Sequence, residues 1–81
     1  METYLKAKRR LFGLTQLDLA ELLSVSRNTI IEIERDENAM KRMRYDKLED
    51  LASIFDMTLH SFMQEMEDYN NNKIDRMVGV V

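Results

Sequence analysis

Residues 21–34 read ELLSVSRNTIIEIE, and the break at Ser24-Val25-Ser26 decides how the chain folds. Before the break, Leu19, Ala20, Leu22 and Leu23 form an apolar stripe at helical spacing. After it, Ile30, Ile31 and Ile33 begin another. Ser26 is an N-cap residue type, whose hydroxyl accepts a hydrogen bond from a first-turn amide. Only Ser24 and Val25 precede that cap, a link too short for the two helices to lie antiparallel, so they must cross steeply. Ala20 is small enough to let the second helix approach closely, and Val25 and Ile30 can plug the crevice between them.

Working outward, the chain reads as all-α. It has no proline and only two glycines, Gly13 and Gly79, and strand patterns are almost absent. A first helix is expected from about Glu2 to Phe12, with Leu5, the stem of Lys8, Arg9 and Phe12 on one side. Gly13 stands where a left-handed stop is easiest. Thr15 caps the next helix, and Asp18 can return the bond as a capping-box variant. The segment DENAMKRMR, residues 36–44, is read as a loop. Leu48, Leu51, Ala52 and Phe55 place a fourth helix over about Tyr45 to Phe55. A fifth opens at Thr58, with Leu59, Phe62, Met63 and Met66 facing inward. Three readings of the tail stay open: a continued helix, a short strand over RMVGVV that pairs with a second chain, or disorder.

An 81-residue chain that is 44% hydrophobic is long enough for one small domain. The absence of cysteine removes disulfides and thiolate chemistry and fits a reducing cytoplasm. No apolar run is long enough for a membrane span, and METYLKAKRR at the N-terminus lacks the core of a signal peptide. The net charge of −3 conceals an asymmetry. Residues 5–44 carry nine Lys/Arg against six acids, and residues 45–81 three against eight. The basic half contains the break, which favours nucleic acid as its partner.

Small residue, tight turn and a plugging isoleucine make a helix-turn-helix pattern. LTQLDLAELLSVSRNTIIEIE, residues 14–34, resembles the phage-repressor-like (Cro/XRE) helix-turn-helix family. The matching features are Leu14-Thr15-Gln16, Leu19-Ala20, Val25-Ser26, Ile30, Ile33 and Glu34. The flanking helices match as well, so the resemblance spans about residues 3–64. It implies a five-helix bundle of the lambda-repressor-like type over residues 1–64, with residues 65–81 as a C-terminal extension serving dimerisation or left disordered. Two positions depart from the family pattern. Ser24 stands where glycine is usual, at a cost of about 1 kcal/mol if φ is positive. Asp36 replaces the glycine after helix three, and the loop that follows is longer.

The resemblance also implies roles. Helix three would lie in the major groove, with Gln16 on a phosphate, Arg27 and Asn28 at bases, and Thr29 at a phosphate or a thymine methyl. Ser26 starts that helix. Glu32 also faces the groove, where it either accepts from cytosine or is repelled by phosphate. Ile31 has two readings, a thymine methyl contact or packing on the loop. Lys41, Arg42 and Arg44 are expected at phosphates. Arg9 and Glu34 would form a partly buried ion pair tying helix one to helix three.

No catalytic set emerges. His60 is the only histidine, and Glu49-Asp50 and Glu67-Asp68 are sequence neighbours that point apart on a helix. No metal or cofactor is expected. The reading is a cytoplasmic, sequence-specific transcriptional repressor that binds a pseudo-palindromic operator as a homodimer through Leu59, Phe62, Met63 and Met66. The alternatives are an antitoxin whose extension wraps a toxin, and a protein-interaction adaptor that does not touch DNA.

Overall fold

Gly13 ends the first helix at φ +71°, and the Leu14 amide returns to the Arg9 carbonyl at 3.1 Å. The same stop recurs twice without glycine. Ser24 takes φ 60° with Val25 bonded back to Ala20 at 3.0 Å, and Asp56 takes φ 57° with Met57 bonded back to Ala52 at 3.0 Å. Each closes the last helical turn with a bond spanning five residues, which satisfies a carbonyl that otherwise lacks a partner. These three stops set where the chain turns.

The computed structural model describes the backbone of residues 2–78 and the side chains of residues 2–71. Within them lie α1 (Tyr4–Leu11), α2 (Gln16–Leu23), α3 (Arg27–Arg35), α4 (Glu37–Lys41), α5 (Tyr45–Ile54) and α6 (Leu59–Val78). No strand occurs among the described residues. The all-α architecture is the expected one, with two differences. Residues 36–44 are not simply a loop: Asp36 caps α4 by accepting from the Asn38 amide at 2.9 Å, and Met40 is fully buried. The tail is helical through Val78, so its RMV is not a strand; Gly79-Val80-Val81 lie outside the described residues.

The core is drawn from all six helices. Leu5, Leu19, Leu23, Ile30, Ile33, Met40, Leu51, Phe55 and Phe62 are fully buried. The Phe55 and Phe62 rings stack at 6.1 Å, and Tyr4 meets Phe62 edge-on at 5.4 Å. Phe62 and Met66 therefore belong to the chain's own core and are not free for the dimer surface expected of them; Leu59 and Met63 are half-buried against that core. Burying a phenylalanine is worth about 1.5–3 kcal/mol, and a small domain leaves little such surface unused.

Two polar clusters tie α6 to the start of the chain. Glu65 accepts from Tyr4 at 2.6 Å and from Lys8 at 2.8 Å, and Tyr69 donates to the Glu2 carbonyl at 2.8 Å. Lys8, then Tyr4, hold the Glu65 carboxyl below the usual range, while burial and the Glu65 contact push the Tyr4 hydroxyl far up. On the other side, Asn70 donates to Glu37 at 2.7 Å and so joins α6 to α4. The segment 65–71 is packed onto the body.

Candidate nucleic-acid interface

The turn is fixed at both ends. The Ser26 hydroxyl accepts from the Thr29 amide at 3.2 Å and lies 3.0 Å from the Thr29 hydroxyl. Behind the turn, Lys47 of α5 donates to the Leu23 carbonyl at 2.8 Å, placing a cation at the C-terminal end of α2. Leu19, Ala20, Leu23, Ile30 and Ile33 close the seam between α2 and α3. What α3 leaves at the surface is one edge: Arg27, Asn28, Glu32 and Arg35 exposed, Thr29 and Ile31 half-buried. This helix is capped at its start and buried along one face, with its polar edge outward.

Beneath that edge, Arg9 and Glu34 form an ion pair with side chains 9% and 5% exposed. The pair is bidentate, Arg9 reaching Glu34 through Nε and again through its terminal nitrogen at 3.3 Å. Arg9 also donates to the Leu14 carbonyl at 2.7 Å, so it spans α1, the loop after it and α3. Bidentate geometry and the additional acceptor are what offset the desolvation of two buried charges.

Gln16, the first residue of α2, extends this network to the surface. Its amide donates to Glu34 at 3.2 Å, and its carbonyl oxygen accepts from Arg27 at 3.5 Å. Arg9, Glu34, Gln16 and Arg27 are thus brought together, although Gln16 spends a donor inward. The end of α2 is further occupied by a complete capping box, Asp18 accepting from the Thr15 amide at 2.9 Å and donating its own amide to Thr15 at 3.0 Å. Those bonds lower the Asp18 carboxyl.

The remaining expected contacts sit apart. Lys41 ends α4 and Arg42 follows it, both exposed. Arg44 precedes α5 and pairs with Asp46 at 3.1 Å, in an exposed and therefore weak ion pair. Ile31, half-buried, borders a shallow depression with Thr3 and Lys6. Lys6 and Arg35, two cations not singled out in the sequence, are also exposed and line that depression. The signal available was that α3 places Arg27, Ile31 and Arg35 one turn apart on one face.

Among the described residues there is no cluster of His, Cys, Asp and Glu able to hold a metal. No helix among them is long and apolar enough to cross a membrane. Residues 5–62 match the family described as helix-turn-helix. No match was found among curated proteins, nor among solved structures. The matched segment runs from Leu5 in α1 to Phe62 and contains the whole turn with its buried ion pair. The chain belongs to the Cro/C1-type helix-turn-helix family, the XRE family of DNA-binding transcription regulators.

Proposed function

We propose that the chain is a sequence-specific repressor that binds a pseudo-palindromic operator as a homodimer, with α3 in the major groove. The observation that carries the reading is the outward edge of α3, where Arg27 and Asn28 stand exposed on a first turn fixed by Ser26. A guanidinium matches guanine O6 and N7, and a carboxamide matches adenine N6 and N7. Thr29 and Glu32 extend the same edge, Gln16 stands at its flank, and Lys41, Arg42 and Arg44 supply phosphate contacts beyond it. One such module reads too few base pairs for genomic specificity, so two-fold pairing follows, with half-sites about 34 Å apart. Leu59 and Met63 on α6 supply the dimer contact. Selection of bound sites from random DNA tests the reading. A palindromic consensus with that spacing is the expected result, and recovery of no enriched sequence would overturn it.

A second reading adds a protein partner on the C-terminal segment, as in an antitoxin. Exposed Glu67 and Asp68 beside half-buried Met63 favour it, because they present an acidic rim around apolar surface. Co-purification of a basic partner with the full chain separates this reading from a plain repressor.

A further inference from the structure

The first helix carries four cations in five positions, Lys6, Lys8, Arg9 and Arg10, and three are committed. Lys8 pairs with Glu65, Arg9 with Glu34 and Arg10 with Glu2. Lys6 is exposed and has no carboxylate partner among the described residues. The same holds for Arg35, at the far end of α3. These two cations, from different helices, line one depression together with Thr3, Gln16, Ile31 and Glu34.

Two further features mark the spot. The Thr3 hydroxyl borders the depression, is enclosed, and is the one buried side-chain polar atom among the described residues with no hydrogen-bond partner. The helix that starts there, α1, has no side-chain cap and no acid in its first turn. The carboxylate in the lining, Glu34, is already neutralised by Arg9 and bonded by Gln16. Two unpaired cations at the rim and the lack of a free carboxylate in the lining suit a phosphate oxygen.

We propose that Lys6 and Arg35 form a phosphate seat that grips the DNA backbone alongside the reading edge of α3. The proposal rests on the reading of the chain as a DNA-binding repressor. It gives a physical role to the inward turn of Gln16: with its amide donated to Glu34, the neighbouring cation Lys6 takes up the backbone charge. The seat continues the line of cations from Arg27 toward Lys41, which shares the next depression with Arg35.

The test is an anisotropy titration of the full chain against a duplex obtained by selection and against a random duplex. Salt is varied from about 50 to 200 mM, the range over which phosphate contacts declare themselves. Lys6→Gln and Arg35→Gln are each expected to lower the salt slope by roughly 0.9. They should weaken both duplexes by the same factor and leave the selected sequence unchanged. Lys6→Arg should keep the wild-type slope. Unchanged slopes in both glutamine variants, with wild-type binding intact, overturn the seat. If inorganic phosphate shifts the Lys6 resonances while those slopes stay unchanged, the site takes free anions and the DNA assignment fails. Absence of wild-type binding to any duplex removes the repressor reading itself, and the seat with it.

Discussion

Gln16 donates its side-chain amide to Glu34 at 3.2 Å, so the surface of the turn is wired to the ion pair beneath it. The same side chain accepts from Arg27 at 3.5 Å. An arginine on the outer edge of a helix ordinarily samples many rotamers, and each one restricted before binding lowers the entropy lost on binding. The buried charges thereby reach Arg27, the side chain proposed to read a base, through a single intermediary.

Arg27→Ala is expected to cost about 1–3 kcal/mol of specific binding and to relax selection at one base pair of each half-site. Lys41→Ala should weaken all sequences alike and flatten the salt dependence. A mobility-shift titration with matched and mismatched duplexes reads both effects. Sequence preference unchanged by Arg27→Ala would remove that residue from the recognition set.

Ser24→Gly is expected to stabilise the protein. A non-glycine residue in the left-handed region costs on the order of 1 kcal/mol, part of which glycine returns through its freedom in the unfolded chain. A gain of about 0.5 kcal/mol, seen as a higher urea midpoint at constant m-value, is the expected outcome.

Removing one partner of the buried ion pair is a different matter. Glu34→Ala strands the Arg9 guanidinium and should cost about 3–5 kcal/mol, a large part of the stability of a small domain. Arg9→Met with Glu34→Leu should recover much of the loss, because the apolar pair leaves no charge uncompensated. Chemical denaturation of the singles and the double decides whether the two are coupled.

How much of this was legible in the sequence depends on the residue. The cap residues and the apolar stripes flanking Ser24 and Val25 are local signals, and they placed the turn. The helix α4 was not legible, because a five-residue helix has no periodicity to read and depends on tertiary contacts, buried Met40 and the Asn70–Glu37 bond among them. Its cap, Asp36, was visible but resembled a loop residue. Phe62 and Met66 read as apolar surplus because the sequence cannot say that Tyr4 and Phe55 surround them. The inward bond of Gln16 depends on contacts across 18 residues, which no local pattern reports.

Glu65 gives a pH dependence whose sign is fixed. Its carboxyl is lowered in the fold, chiefly by Lys8 and then by Tyr4, so the unfolded chain binds the proton more readily. Its stabilisation is present above the ordinary glutamate value of about 4.3 and is lost as pH falls through the lower folded value. Urea midpoints should therefore drop between neutral pH and pH values near 3, with a smaller drop in Glu65→Gln.

Phe62 and Met63 are adjacent but should fail differently. Phe62→Ala is expected to cost about 3–5 kcal/mol at any protein concentration, because the ring is core. Met63→Glu should leave folding nearly intact and shift the proposed homodimer to monomer. Sedimentation equilibrium of both variants separates the two effects.

The bonds from α6 to the first helix and its leading residues span 61 and 67 positions of the chain, from Tyr4 to Glu65 and from Glu2 to Tyr69. During synthesis α1 leaves the ribosome without the partners that bury Tyr4, and it must wait for nearly seventy residues to follow. The turn at Ser24 emerges early, but the core that steadies it closes late. An unfinished chain therefore lacks the contacts that bury Tyr4, and its core is complete only when α6 docks.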